Sequence, residues 1–165
     1  MMSTSIAIRE ARAGDLAAIR TLLDEYAAWL NLDLSFQDFA REYHDLPGEY
    51  GAPGGALLLA TADDQPAGMV ALRALRGGRC EMKRLYVRPS ARGLSLGQRL
   101  VERILHEARV RAYREIVLDT LPVMQAAQQL YAAFGFRDVD PYYESPVPGT
   151  RFMGLQLQND ATAPF

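Results

Sequence analysis

The segment Arg92-Gly93-Leu94-Ser95-Leu96-Gly97 has the residue types of an anion site. It joins a stretch that reads as a strand, Cys80 to Arg88, stopped at Pro89, to one that reads as a helix, Ser95 to Val110. The first N–H groups of a helix have no partner inside it, and the helix dipole adds partial positive charge there. Gly93 and Gly97 permit a tight turn and let phosphate oxygens approach the backbone, and Arg92 and Arg99 can add charge-assisted contacts. A pyrophosphate fits these groups. Gly93 to Gly97 also matches the Gly-x-Ser-x-Gly nucleophile elbow of serine hydrolases, which makes Ser95 a competing candidate. That chemistry needs a histidine base after the serine, and the two histidines are His44 and His106. His106 lies on the same predicted helix, roughly 16 Å from Ser95 along the axis, too far to take its proton. No Gly-Lys-Ser/Thr closes the loop as a P-loop would, and the glycine spacing is not that of a dinucleotide fold. Cys80, the single cysteine, reads as a packed strand residue rather than a covalent acyl carrier. One cysteine and two scattered histidines supply no metal-ligating set, so no metal is expected.

The elements that must position this loop follow from periodicity and punctuation. Thr4 to Arg9 alternates and reads as a strand; Leu16, Ile19, Leu22, Leu23, Tyr26 and Leu30 recur at helical spacing after Asp15. A shorter helix is expected over Ser35 to Tyr43, followed by a Gly/Pro-rich loop from Pro47 to Gly55 that could wall a site. Ala56 to Ala62 and Ala67 to Leu75 read as a hairpin around Asp63-Asp64-Gln65-Pro66. Arg114 to Asp119 reads as a strand, Pro122 to Phe134 as a helix ended by Gly135, and Arg137 to Tyr142 and Thr150 to Leu157 as two last strands. Residues 1–158 read as a single domain and 159–165 as a frayed tail.

In order and in residue type, Cys80 to Arg103 together with Leu118 to Phe136 resembles the GNAT superfamily of acetyl-CoA-dependent N-acetyltransferases. Val87, Pro89, Arg92 and Gly97 match the family's strand end and its Arg/Gln-x-x-Gly-x-Gly/Ala loop, with Ser95 in place of the middle glycine. Leu130-Tyr131-Ala132-Ala133-Phe134-Gly135-Phe136 is similar to the family's Leu-Tyr-x-x-x-Gly-Phe, while Met124 stands where an asparagine is often found. The resemblance implies an α/β (α+β) fold: a mixed, mostly antiparallel sheet of about six to seven strands flanked by about four helices. It implies acetyl-CoA as co-substrate, with pantetheine on the backbone of Leu85, Tyr86 and Val87 and pyrophosphate on the N–H groups of Gly93, Leu94, Ser95, Leu96, Gly97, Gln98 and Arg99. It further implies that Tyr131 protonates the departing thiolate, and that Glu81, six residues before Val87, removes the amine's proton. Asp119 is the reserve base. A base is needed because an amine with pKa near 10.4 is neutral in only about 1 of 2,500 molecules at pH 7. The expected reaction is direct attack in a ternary complex, with the Val87 N–H stabilising the oxyanion. A non-catalytic acyl-CoA sensor is the alternative.

Charge bears on the acceptor. Between Met82 and Val101 the charged residues are all basic: Lys83, Arg84, Arg88, Arg92 and Arg99. Between Asp24 and Glu49 acids dominate, and with Tyr26, Trp29 and Tyr50 that run could draw and stack a cationic amine. Tyr142 and Tyr143 are expected to close the other side, so Tyr26, Tyr142 and Tyr143 are the candidate substrate contacts. A small-molecule amine or amino acid is the expected acceptor, and the two late strands would permit a homodimer. A net charge of −2 over 165 residues argues against nucleic acid as partner. No apolar stretch approaches the ~20 residues a membrane span requires, and the lone cysteine suits a reducing compartment, so cytoplasm is expected.

Overall fold

The computed structural model describes residues 3–157. The strands are β1 (Ile6–Glu10), β2 (Ala56–Ala62), β3 (Gln65–Ala74), β4 (Arg79–Val87), β5 (Glu115–Thr120), β6 (Arg137–Asp138) and β7 (Arg151–Gln156). The helices are α1 (Leu16–Leu30), α2 (Phe39–Asp45), α3 (Leu96–Val110) and α4 (Gln125–Ala133). The strands form one 7-stranded sheet in the order β1-β2-β3-β4-β5-β7-β6, antiparallel throughout except between β4 and β5. The expected GNAT-like mixed sheet with four helices is therefore present, and α1, α3 and the β2–β3 hairpin stand close to their expected limits.

The sheet has a core on each face, which explains why β2 is buried along nearly its whole length and reads as a continuous apolar run. Leu58, Val70, Leu72 and Met82 pack with Leu96, Leu100, Ile104 and Leu105 of α3 on one side. Leu57, Leu59, Met69 and Tyr86 pack with Ile19, Leu22, Leu23 and Tyr26 of α1 on the other. Each of the fully buried leucines contributes about 1.5–3 kcal/mol through removal of its side chain from water.

Two irregularities of β4 shape everything that follows. Its register on β3 jumps from Met69↔Tyr86 to Ala71↔Lys83, so Arg84 and Leu85 together oppose Val70, and Arg84 takes a left-handed φ of 62°. On its other edge β4 pairs with β5 only over Arg79↔Glu115, Cys80↔Ile116 and Glu81↔Val117. Past that level the two parallel strands part, and among the described residues no strand covers the facing edge of β4 from Met82 onward.

Four expectations need correction. The helix expected over Ser35 to Tyr43 is a 3-10 turn, Ser35–Gln37, and then α2, because Asp38 sits at a left-handed φ of 56° between them. A short polar side chain tolerates that conformation. The helix expected from Pro122 begins only at Gln125; residues 121–124 form a turn in which the Met124 N–H reaches the Leu121 carbonyl at 2.9 Å. The strand expected over Arg137 to Tyr142 shrinks to Arg137–Asp138, with one further bond from Val139 N–H to Phe152 O; Pro141 has no N–H with which to continue the ladder. Finally, β7 lies between β5 and β6, so of the two late strands, both expected to be exposed, only the two-residue β6 is an edge. The tail expected at 159–165 lies outside the described residues.

Candidate active site

The loop into α3 has the backbone geometry an anion site calls for. Gly93 and Ser95 adopt left-handed φ values of 88° and 57°, a kind of turn that can present N–H groups to an anion. Glycine accepts such a φ freely; Ser95 accepts it at a cost. The helix closes its first bond from Arg99 N–H to Ser95 O at 3.1 Å, and Arg92 N–H is taken by Pro89 O at 3.3 Å. That narrows the expected donors: Leu96, Gly97 and Gln98 offer the free first-turn N–H groups, Gly93, Leu94 and Ser95 precede them, and Arg92 and Arg99 can contribute only their exposed guanidinium groups. The Ser95 side chain makes no capping hydrogen bond, so its hydroxyl stands in solvent without a base.

The diverging arms of β4 and β5 enclose a small cavity lined by Tyr26, Lys83, Leu85, Asp119 and Tyr131 among others. The Arg88 N–H reaches Ala67 O of β3 at 2.8 Å, so by strand alternation the Val87 N–H points to the opposite, open edge of β4. Tyr131 of α4 is 4% exposed, with its ring 5.7 Å from that of Phe136. Burial pushes its phenol above the ordinary tyrosine range, with Tyr26 and Asp119 adding to the shift, so it holds its proton at neutral pH. Tyr26 faces this cavity too, edge-on to Tyr86 at 6.2 Å. It therefore stands at the junction of the two arms rather than in the wider cleft, and Trp29, 44% exposed, lines neither.

The small cavity adjoins a cleft of about 750 Å³ between α2, the 48–50 turn, β4 and the tyrosine pair. Because the chain leaves the sheet at Pro141, Tyr142 and Tyr143 fold back over Phe152, each ring 5.2 Å from it. Each tyrosine then covers a carboxylate: the Tyr142 hydroxyl donates to Glu81 Oε2 at 2.5 Å, and the Tyr143 hydroxyl donates to Asp119 Oδ2. Glu81 is 1% exposed and its other oxygen accepts from Arg73 Nε at 2.7 Å. Burial and the neighbouring carboxylates raise both phenols, as hydrogen bonds to anions require. The structure thus brings Glu81, Asp119, Tyr142 and Tyr143 together around the mouth of the splay. Burial also pushes the Cys80 thiol up to about 12, which suits a packed residue and not an acyl carrier.

The sequence singles out neither Gln37 nor Arg73 and gives Glu42, Lys83 and Arg84 only a place in the acidic and basic runs, yet all five gather here. Arg84 is 4% exposed and holds Glu42 of α2 by two bonds of 2.9 Å and Gln37 by one of 2.7 Å, with the Phe39 ring 5.1 Å from its guanidinium. The acidic run is largely spent in this way: Glu25 pairs with Arg88, Glu42 with Arg84, Asp45 with Arg41 and Glu49 with Arg73. The expected acidic pole for a cation is therefore mostly neutralised from within. The signal available beforehand was the excess of basic residues on β4, which had to face something.

Residues 16–136 match the Acetyltransferase (GNAT) family. An uncharacterised N-acetyltransferase of Schizosaccharomyces pombe is 41% identical over 145 residues, covering 87% of this chain and 89% of that one. A GNAT-family acetyltransferase from Staphylococcus aureus superposes with a TM-score of 0.79 at 21% identity, covering 93% of this chain and all of that one. YncA from Salmonella typhimurium, described as an acetyltransferase and solved with its cofactor acetyl-CoA, superposes with a TM-score of 0.66 at 22% identity, covering 93% of this chain and 94% of that one. Because the family match runs through both the α3 cradle and the α4 tyrosine, this chain belongs to the Acetyltransferase (GNAT) family and is an acyltransferase.

Proposed function

We propose that the enzyme moves an acetyl group from acetyl-CoA to the primary amine of a small-molecule acceptor, by direct attack in a ternary complex. The observation that carries this reading is the open splay beyond Glu81 and Val117, with the buried Tyr131 on one side of it and the large cleft on the other. Coenzyme and acceptor can then approach from opposite sides and meet at the small cavity. The pyrophosphate rests on the N–H groups of Gly93 to Gln98, with Arg92 and Arg99 beside it, and the pantetheine runs along the uncovered edge of Leu85, Tyr86 and Val87. When the amine attacks, the thioester oxygen gains negative charge, which the outward N–H of Val87 stabilises. Collapse of the tetrahedral intermediate breaks the C–S bond, and Tyr131 protonates the thiolate. Phenol to thiolate is uphill by about 1.5 pKa units in water, or about 2 kcal/mol, and burial of Tyr131 steepens it, so the proton moves together with cleavage of the C–S bond as the intermediate collapses.

The amine's proton passes to Glu81 through the Tyr142 hydroxyl, which already donates to it; the Tyr143–Asp119 couple stands across the splay as a second acceptor. A lone cysteine that can form no intrachain bridge supports a reducing compartment, and we place the enzyme in the cytoplasm. Thiol release from acetyl-CoA, measured across a panel of amines, tests the whole reading. Turnover on at least one amine is expected. Absence of coenzyme binding would sink the proposal, and binding without turnover on any amine would favour a sensor of acyl-CoA.

A further inference from the structure

Nearly every charge around the cleft already has a partner. Arg73 bridges Glu81 and Glu49 at 2.7 and 2.8 Å, Arg84 holds Glu42, and Arg41 lies 3.7 Å from Asp45. Lys83 differs. Its side chain lines both the cleft and the small cavity, and it forms neither a hydrogen bond nor an ion pair with any described residue. The two carboxylates that face it are committed elsewhere: Glu81 to Arg73 and Tyr142, and Asp119 Oδ2 to Tyr143 and Gln37. Burial lowers the lysine's pKa first of all; Glu81 and Asp119 oppose that, while Arg84 and Arg73 reinforce it. Lys83 is partly buried at the cleft wall, and an ammonium there without a bonded counter-ion gains from an anion arriving through the cleft.

Its place relative to the chemistry follows from register. Glu81↔Val117 is the last β4–β5 pair, so Lys83 and Asp119, two residues further along parallel strands, stand level on the two arms and on the same face. Tyr131 lines the same small cavity. Lys83 and Asp119 thus present opposite charges across the splay, and Asp119 Oδ1 accepts no hydrogen bond from a described residue. Resting on the acetyl-transfer reading above, we propose that the acceptor is an amine bearing its own carboxylate, an amino acid, and that Lys83 binds this carboxylate and so aims the amine at the thioester. With the carboxylate on Lys83, an amine one or two carbons away faces Asp119 and the reacting carbonyl. A simple alkylamine leaves Lys83 uncompensated, and a polyamine sets a second positive charge against it.

The test compares acceptors that differ only in that group: amino acids against their carboxamides, by thiol release from acetyl-CoA with the full chain. We expect kcat/KM to favour the acid by about 10- to 100-fold, as a charge-assisted hydrogen bond would give. Lys83→Met should erase the preference by lowering kcat/KM for the acid alone, with acetyl-CoA affinity and turnover of the carboxamide little changed; Lys83→Arg should retain it. Equal rates on acid and carboxamide in the wild type would overturn the proposal while leaving acetyl transfer intact, as would a preference that survives Lys83→Met. Acetylation of Lys83 itself, seen by peptide mass spectrometry, would overturn it by making the lysine a nucleophile. If Lys83→Met loses its fold or its coenzyme, the wild-type ratio and the Lys83→Arg ratio decide. No turnover on any amine would bring down the acetyl-transfer reading and this one together.

Discussion

The cradle at the start of α3 and the cleft beneath α2 treat charge in opposite ways. In the cradle, Arg92 and Arg99 are exposed and the N–H groups of Leu96, Gly97 and Gln98 are left open, all within a few residues of one another. In the cleft, charges close on partners far away in sequence: Arg84 with Glu42 across 42 residues, and Arg73 with Glu49 across 24. The cradle can serve any ligand with the same phosphates, so local geometry suffices. On the proposed reading the cleft fits one acceptor; its wall holds the buried Arg84–Glu42 pair and the more exposed Arg73–Glu49 pair, and one cation, Lys83, has no partner among the described residues. On that reading, the donor side rests on contiguous backbone and the acceptor side on tertiary pairing.

The sharpest way to break this contrast is Glu42→Ala. It leaves Arg84, whose side chain is 1% exposed, without its counter-ion, and loss of one member of a buried pair costs about 3–5 kcal/mol. Thermal unfolding should fall by about 10 °C. The acceptor KM should rise, while acetyl-CoA affinity below the transition stays within about twofold, since the cradle rests on α3 and not on α2; equal losses at both sites would erase the distinction. Tyr131→Phe comes next and acts where the two sides meet. It should lower kcat by about 100-fold, within the usual range for a lost general acid, with acetyl-CoA affinity preserved in equilibrium binding. Unchanged turnover would refute the acid role.

Smaller effects sharpen the donor side. Arg92→Ala and Arg99→Ala should each weaken coenzyme binding by about two- to fivefold, with the loss shrinking at high salt because both side chains are exposed. Titrations at two ionic strengths would check this, and a salt-independent loss would argue for burial instead. Ser95→Gly should raise stability by about 0.5 kcal/mol by relieving the left-handed residue, seen as a small rise in melting temperature, and should leave turnover intact. Loss of activity in that variant would give the Ser95 hydroxyl a direct part in holding the coenzyme.

The contrast also explains what could be read beforehand. Strand β4, the cradle and α3 were legible because periodicity, Pro89 and the glycines act on their immediate neighbours. Tyr131 was legible through its block of neighbours on α4. The sequence points to Tyr142 and Tyr143 as candidate substrate contacts but sets them on or beside a strand that stops at Asp138, and nothing local announces that they cap Glu81 and Asp119. The acidic run was legible as charge and misleading as function, because a sequence does not say which acids will meet which arginines.

By itself, then, the amino-acid sequence determined the order of the elements, the glycine-punctuated loop from Arg92 to Arg99 that opens α3 and the family-like tyrosine on α4, all of which depend on contacts a few residues apart. Only the tertiary structure decided where β4 and β5 part, that Arg84 clamps α2, that Tyr142 and Tyr143 each cover a carboxylate, and that Lys83 lines the cleft with no bonded partner among the described residues. The physical reason is that backbone propensity and capping act over a single turn, whereas the pairing of buried charges is settled by which distant segments the packed core brings side by side.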